Sequence, residues 1–258
     1  MLSQKRASAL LNKSADIIHQ KLVPKTGMKL SGKFALIRTN KATKEFIKKA
    51  QERELSKAEP RELIMTKGLK PGRYASLVEG LYDIDRLPDT VWMSTHHPER
   101  LSNLPVLQNA KGHVLIAGLG MGLIIYPLLM DRDVKSITVV EKNKDVIKLV
   151  EPYIHRLSYD YQNHDEFARP RCIINIHNAD IFKFKPVPGY NTIYLDIWPT
   201  ICLSNLKQIW KLKDRFKKHL APGGWMGAWV EDFLIRKLEY TAKKQKPKHS
   251  GAQHEAAA

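Results

Sequence analysis

The sequence predicts an α/β fold in which a mostly parallel β-sheet carries helices on both faces, preceded by a smaller α/β extension at the N-terminus. Two observations predict it. Beyond residue 112, short apolar runs alternate with helix-length segments, which is typical of strands buried on both faces of a parallel sheet. A glycine-rich turn directly follows the first run, as in Rossmann-like nucleotide-binding folds. The apolar runs are His113–Ala117, Ile137–Glu141, Cys172–Ile176, Thr192–Asp196 and Trp225–Val230.

The length of 258 residues suits one core domain with an extension. We expect residues 1–111 to form the N-terminal extension and residues 112–242 to form the Rossmann-like domain. Residues 243–258 are rich in Lys, Gln, Ala and Gly and have almost no large apolar side chain. Such a composition predicts a disordered tail.

The extension contains several recognisable elements. Apolar residues recur with helical spacing from Leu10 to Leu22, and Pro24 ends the pattern. Phe34–Thr39 is typical of a short strand, and Ala42–Leu55 of a basic helix. Frequent Pro and Gly over residues 68–105 predict turns and short strands that lie against the main domain, over its ligand cleft.

Three helices are expected between the strands of the main domain. The segment Val114–Met130 is apolar or glycine throughout and approaches the roughly 20 residues of a membrane-spanning helix. Its glycines and Pro127 divide it better into a buried strand, a turn and a helix. The helices are predicted at Gly122–Met130, Asn143–Arg156 and Leu203–Leu220.

Fewer than 30 residues follow Val230, so we expect the sheet either to be shortened or to be completed by the N-terminal extension.

Charge and cysteine content restrict the possible partners. Lys and Arg number 43 against 26 Asp and Glu, a formal net charge of +17. A field of this sign attracts phosphates and nucleic acids, although a solvated basic surface accounts for it equally well.

The cysteines and histidines do not indicate a metal site. Cys172 and Cys202 lack Cys-x-x-Cys spacing, so neither a disulfide framework nor a thiolate zinc site is implied. In His96-His97-Pro98-Glu99 the adjacent histidines would point to opposite faces of a strand and have no evident third ligand, so a surface turn is favoured over a metal site. The N-terminal residues lack the apolar core of a secretory signal, and we expect a cytoplasmic protein without a membrane anchor.

The segment Val114–Gly122 is the most informative motif. A buried strand runs into glycines at positions 118, 120 and 122, which let the backbone turn sharply and bring its N–H groups against a ligand. The third glycine of a dinucleotide fingerprint would fall on Leu123, which disfavours NAD or FAD. About 20 residues further, Glu141 ends the next strand, where a carboxylate can accept both hydroxyl protons of a ribose. The alternative for Glu141 is a surface acid paired with Lys142 or Lys144.

Two further acids follow later strands. Asn178-Ala179-Asp180 would lie near an adenine, where an acid can accept a hydrogen bond from the exocyclic amine. A role of Asp180 as the cap of a turn is nearly as plausible. Asp196 ends an apolar strand at the carboxyl edge of the sheet, where α/β folds bind ligands. Because an unpaired carboxylate at the end of a buried strand is costly, a functional role is favoured there.

With these motifs the sequence resembles the class I S-adenosylmethionine-dependent methyltransferases, and within them it is most similar to the spermidine synthase-like branch. The resemblance covers roughly residues 90–232. It implies S-adenosylmethionine or its decarboxylated form as cofactor, with Asp196 as the catalytic residue. It also implies cofactor contacts from Gly118, Gly120, Gly122, Glu141, Lys142, Asn178, Ala179, Asp180 and Asp196.

Three functions remain open from the sequence. The first is a methyltransferase of unknown acceptor. The second is an aminopropyltransferase using the decarboxylated cofactor. Members of the branch usually carry a second acid shortly after the one that matches Asp196. In this sequence Trp198 and Pro199 occupy that place, which counts against this function. The third is a non-catalytic nucleic-acid-binding module whose cofactor site is vestigial, for which net charge is the only support.

Overall fold

Two β-sheets form the framework of the protein. The computed structural model describes residues 2–23, 28–39, 74–79, 90–164 and 172–245. The first sheet, here the N-terminal sheet, is antiparallel throughout and its strands lie side by side in chain order. They are β1 (Met28–Ser31), β2 (Phe34–Thr39), β3 (Tyr74–Glu79) and β4 (Thr90–Ser94).

The second sheet is parallel throughout and has the strand order β7-β6-β5-β8-β9. In this order the first strand of the sheet, β5, lies in the middle. The chain adds β6 and β7 on one side of β5 and then returns to add β8 and β9 on the other side, as in Rossmann-like folds. The predicted α/β class is therefore confirmed. The strands are β5 (Gly112–Ala117), β6 (Val134–Glu141), β7 (Ile173–Asn178), β8 (Tyr190–Leu195) and β9 (Leu220–Ala228).

Helices cover both faces of the parallel sheet. From β5 to β7 the chain adds strands on one side of β5, and from β8 to β9 it adds them on the other side. Because crossovers between parallel strands are right-handed as a rule, these two directions place the connecting helices on opposite faces. The helices are α1 (Gln4–Ile17), α2 (His97–Ser102), α3 (Leu104–Asn109), α4 (Ile125–Leu129), α5 (Lys144–His164), α6 (Asn205–Phe216) and α7 (Glu231–Gln245). Helix α1 continues into a π-helical turn at Ile18–Leu22, and α6 continues into a 3₁₀ turn at Lys217–His219.

The core lies between these helices and the parallel sheet. The four residues Val114–Ala117 of β5 are buried, as expected for a central strand with helices on both faces. Helix α6 buries Leu206, Ile209, Leu212 and Phe216, which recur every three or four residues and form one apolar stripe.

The N-terminal sheet is attached to the helix that follows β6. The hydroxyl of Ser31 donates to Asp145 Oδ1 at 3.1 Å, and Lys29 Nζ donates to the backbone carbonyl of Leu149 at 3.0 Å. Both acceptors lie in the first turns of α5. The N-terminal sheet is thereby held above the carboxyl ends of the parallel strands.

Several predicted elements have the expected positions. Phe34–Thr39 is a strand with those bounds, and Val114–Met130 divides into a strand, a turn and a short helix. The helix predicted at Ala42–Leu55 lies outside the described residues. No helix in the described part of the chain is both long and apolar enough to span a bilayer.

Other elements differ from the prediction. Residues 97–109 form α2 and α3 where turns and strands were expected. Helix α5 continues past Arg156 to His164, since nothing in the sequence stops it and Leu157 is buried in the core. Asp160 in this extension pairs with Lys21 at the end of the first helical segment. Among the described residues the parallel sheet is shortened to five strands, and the N-terminal strands form their own sheet instead of completing it. Helix α7 runs to Gln245, so the first three residues of the predicted tail are helical, and residues 246–258 lie outside the described part.

Candidate functional site

The glycine turn after β5 is shaped by close contacts that exclude side chains. Gly118 has φ of 95° and Gly120 has φ of 51°, conformations that glycine adopts without strain. A Cβ on Gly118 would collide with the backbone carbonyl of Asp196, and a Cβ on Gly120 would collide with the sulfur of Met93. The turn is therefore packed against the end of β8 on one side and against the N-terminal sheet on the other.

Glu141 fastens the end of β6 to this turn. Its Oε2 accepts a hydrogen bond from the backbone N–H of Leu119 at 2.9 Å, and its Oε1 accepts one from the backbone N–H of Asn143 at 2.7 Å. Burial raises the pKa of Glu141, while these backbone N–H groups act in the opposite direction. Glu141 is thus a half-buried carboxylate, not the surface acid paired with Lys142 or Lys144 that the sequence left open.

The segment after β7 is held by two polar side chains. The amide Nδ2 of Asn178 donates to the carbonyls of Glu141 at 3.1 Å and Lys142 at 3.0 Å. Asp180 Oδ1 accepts from the N–H of Phe182 at 2.9 Å, and its Oδ2 pairs with Lys142 Nζ at 3.1 Å. The bond from Phe182 and the nearby Lys142 charge lower the pKa of Asp180. Asp180 therefore does cap a turn, and its carboxylate also borders the cavity described below.

Asp196 is the acid at the end of β8. Its backbone N–H donates to the carbonyl of Ala117 at 2.8 Å, which fixes it beside the start of the glycine turn. Burial raises the pKa of the half-buried Asp196 carboxyl to about 7, and the negative charge of Glu141 contributes further. A carboxyl group with this pKa can both hold and release a proton near neutral pH.

These elements surround one cavity of about 580 Å³ at the carboxyl edge of the parallel sheet. This volume is within the range of about 300–1,000 Å³ found for small-molecule sites. The N-terminal sheet forms the opposite wall, as the sequence predicted for the extension. Its contribution is mainly apolar and comes from Phe34, Leu77, Trp92 and Met93.

Seven of the nine predicted cofactor contacts line this cavity. Gly122 and Asn178 are the two that do not. Gly122 instead packs against Ile154, and Asn178 positions the backbone of Glu141 and Lys142. The seven are Gly118, Gly120, Glu141, Lys142, Ala179, Asp180 and Asp196.

Glu99 is a cavity residue that the sequence did not indicate. It is only 5% exposed, and it lies in α2, within a stretch predicted to be a surface turn. His96 caps this helix by accepting from the backbone N–H of Glu99 at 3.4 Å, and burial lowers the pKa of His96 to about 4. Pro98 followed by an acid is a helix-start signal that would have revealed α2, although not its burial.

A polar network supports this end of the cavity. Tyr194 donates from its hydroxyl to Asn103 Oδ1 at 3.3 Å, and Asn103 Nδ2 donates to the carbonyl of Glu99 at 2.9 Å. The indole of Trp229 donates to Ser102 Oγ at 2.8 Å, which donates to the same carbonyl. Burial is the main cause that raises the pKa of Tyr194, with Asp196 and Glu99 adding negative charge. Tyr194 therefore remains a neutral hydrogen-bond donor.

The described residues contain no group of three or more His, Cys, Asp or Glu side chains that could hold a metal ion. The cavity offers four carboxyl groups (Glu99, Glu141, Asp180 and Asp196) and an apolar wall with two aromatic rings from the N-terminal sheet. Such a set can bind a polar ligand that carries hydroxyl or amino groups on one side and apolar atoms on the other.

Comparison with known proteins gives partial likenesses. No protein-family model matches the sequence, and no curated protein matches it. Among solved structures, a putative methyltransferase from Thermoplasma acidophilum is 18% identical, covering 46% of this chain and 44% of that chain with a TM-score of 0.33. An S-adenosylmethionine-dependent methyltransferase from Clostridium acetobutylicum is 17% identical, covering 49% and 45% with a TM-score of 0.30.

A third structure, an S-adenosylmethionine-dependent methyltransferase from Leishmania major, is 15% identical, covering 50% of this chain and 45% of that chain with a TM-score of 0.29. This chain thus spans less than half the length of each of the three.

Proposed function

We propose that this protein is an S-adenosylmethionine-dependent methyltransferase whose cofactor binds at the carboxyl edge of the parallel sheet. One observation carries the proposal: the glycine turn, Glu141 and Asp196 converge on a single cavity of about 580 Å³. The turn has no room for a side chain at Gly118, and Glu141 is fixed by two backbone N–H groups with lone pairs remaining on both oxygens. These features fit an adenosine ligand.

Each residue has a separate task in this proposal. Glu141 would accept the ribose hydroxyl protons, and Asp180 would lie at the adenine. Lys142 would hold Asp180 in place through their ion pair. Asp196 would contact either the amino group of the methionine moiety or the acceptor.

The cofactor would supply an electrophilic methyl group carried on a sulfonium sulfur. The chain's own contribution is then mostly positioning, since holding two reactants in line removes a large part of the barrier. Asp196, with a pKa of about 7, is suited to take the proton that an amine or hydroxyl acceptor releases. The apolar wall of the N-terminal sheet would exclude water from the reacting atoms.

A second candidate is an aminopropyltransferase of the spermidine synthase-like branch. The observation that favours it is Glu99, which supplies a second buried acid at the cavity that the sequence alone did not provide. Its position on α2 differs from the place after β8 where the branch usually carries that acid. The Glu99 carboxylate would bind a polyamine amine in this case.

Calorimetry on the wild-type protein and on Glu141→Ala tests the shared site. We expect S-adenosylmethionine, its decarboxylated form or S-adenosylhomocysteine to bind, and the variant to bind about 1.5–3 kcal/mol more weakly, the range for hydrogen bonds to a charged group. Glu239→Ala, which removes an exposed acid of α7, is the control and should bind as the wild type does. Absence of binding by all three ligands would contradict both candidates.

The reaction product separates the two. A methyltransferase releases S-adenosylhomocysteine, whereas an aminopropyltransferase releases methylthioadenosine. Incubation with each cofactor and a mixture of amine and nucleic-acid acceptors, followed by mass spectrometry, identifies which of these forms. Methylthioadenosine appearing without S-adenosylhomocysteine would replace the first candidate with the second.

A further inference from the structure

The outer surface of helix α6 carries a concentration of positive charge. Residues 205–219 contain six Lys and Arg residues and one acid, Asp214. Two of the six are engaged, since Lys213 pairs with Glu231 and Arg215 donates to backbone carbonyls. The remaining four are exposed, and none forms an ion pair with another described residue. Together with Trp210 they make up what we call the α6 basic face: Lys207, Trp210, Lys211, Lys217 and Lys218.

Helix stability accounts for only part of this charge. Cations near the C-terminal end of a helix are stabilised by the helix dipole, which explains Lys217 and Lys218. Lys207 lies in the first turn, where the dipole disfavours a cation and where α6 has no acid to offset it. Lys207 is therefore placed against the electrostatic preference of its own helix.

Trp210 is exposed in the middle of this surface. It is 49% accessible, three residues after Lys207 and directly before Lys211, and lies about 100° around α6 from the buried stripe. About half of this large apolar ring is therefore left in water at the edge of the stripe. A flat ring flanked by ammonium groups is the arrangement that binds an unpaired base together with its adjacent phosphates.

The α6 basic face connects to the cavity and to a second basic segment. Gln208, on the same helix, accepts from the indole of Trp198 at 3.0 Å, and Trp198 lines the cavity. Arg215 donates to the carbonyls of Ile181 and Phe184, at 2.5 Å for Ile181, and so holds residues 181–184 against α6. This segment adds exposed Lys183, with exposed Lys185 directly after it.

We propose that the α6 basic face binds single-stranded nucleic acid, with Trp210 stacking on a base and Lys207 and Lys211 contacting phosphates. A single strand is favoured over a duplex because a paired base has no free face for Trp210. The binding does not depend on the proposed methyl transfer and is measured without any cofactor. The overall charge of +17 has the sign that attracts a polyanion of this kind.

Fluorescence anisotropy with a labelled single-stranded DNA of mixed sequence tests the proposal, with salt varied between about 50 and 200 mM. We expect the double variant Lys207→Gln, Lys211→Gln to bind more weakly. The slope of log K against log salt should fall by about 1.4, since each phosphate contact on a single strand contributes about 0.7. Trp210→Ala should bind about fivefold or more weakly with the slope unchanged, because it removes stacking and no charge.

The matched control is Lys5→Gln, Arg6→Gln, which removes the same charge from exposed positions of α1. This control should keep nearly the wild-type affinity and slope. Equal losses in both double variants would overturn the proposal, because binding would then be diffuse attraction to net charge. No binding by the wild type at 50 mM salt would overturn it as well. Binding of polyglutamate or of phosphatidylserine vesicles without binding of the oligonucleotide would also overturn the proposal. The partner would then be an acidic protein or a membrane surface.

Discussion

The sulfur of Met93 accepts a hydrogen bond from the backbone N–H of Met121 at 3.3 Å. Met93 belongs to the last strand of the N-terminal sheet, and Met121 to the glycine turn of the parallel sheet. The two sheets therefore meet at the turn that we propose to hold the cofactor. Substitutions in the turn consequently act on the contact between the sheets as well as on ligand binding.

Gly118→Ala should destabilise the protein more than Gly120→Ala. Both impose strain of roughly 1–3 kcal/mol at positive φ. At Gly118 the added methyl also meets the fixed backbone carbonyl of Asp196, whereas at Gly120 it meets the movable Met93 side chain. We expect free energies of unfolding lower by about 3 kcal/mol or more for Gly118→Ala and about 1–3 kcal/mol for Gly120→Ala, measured by urea denaturation.

Gly223→Ala measures how much of these losses in the free energy of unfolding comes from positive φ alone, without a steric contact. Gly223 has φ of 67°, and no atom lies within 4 Å of a Cβ at that position. Its loss should be close to that of Gly120→Ala. Equal losses at Gly118 and Gly223 would show that the contact with Asp196 is not tight.

The contribution of Asp196 to the free energy of unfolding should fall with rising pH. Its pKa is about 7 in the folded protein and about 3.9 in an unfolded chain. Between these values the folded state retains a proton that the unfolded state has released, so the stabilising contribution is complete below pH 4 and is lost as the pH rises through 7. The slope is at most about 1.4 kcal/mol per pH unit.

Asp196→Asn removes this titration. Urea denaturation between pH 4 and 8 should show the free energy of unfolding of the wild type falling relative to that of the variant as the pH rises, with the variant the more stable at pH 8. His96, whose pKa is lowered to about 4, acts in the opposite direction over part of this range, but it does so equally in both proteins. Asp232→Asn, which removes an exposed acid of α7, controls for the loss of one charge. Parallel curves for wild type and Asp196→Asn would mean that the Asp196 pKa is not raised.

Asp180 should contribute to stability through its turn and hardly through its ion pair. Lys142 is 77% exposed in the pair, and exposed pairs contribute about 0–1 kcal/mol. Lys142→Ala should therefore leave the thermal midpoint almost unchanged. Asp180→Ala should lower stability by about 1 kcal/mol, since the N–H of Phe182 loses its acceptor.

Asp180→Asn is the control that keeps an oxygen at the same place. The amide oxygen can still accept from the N–H of Phe182, so its thermal midpoint should stay near that of the wild type. A loss as large as that of Asp180→Ala would instead assign the effect to the negative charge.

Local sequence signals predicted the part of the fold in which neighbouring residues determine the structure. The buried run before Gly118 and the acid after Val140 indicated β5, β6 and the turn, because burial on both faces and the need for positive φ leave direct traces in the sequence. The strand Phe34–Thr39 was recognisable for the same reason.

The parts that escaped prediction depend on distant contacts. Glu99 is buried because α2 lies beneath the cavity, and no residue near it in sequence indicates this. The short helices over residues 97–109 pack against α1, and each has its proline in the first turn, where proline is compatible with a helix. The pairing of β3 with β2 joins residues about 40 positions apart and has no local signature.

The contact between Ser31 and Asp145 spans more than 100 residues of sequence. Long-range contacts of this kind form late in folding, because the entropy of closing the intervening loop must be overcome first. A chain in which only the parallel sheet has formed would have one wall of the cavity and would not retain a ligand. A bound ligand should accordingly slow the rate of unfolding and leave the rate of refolding unchanged.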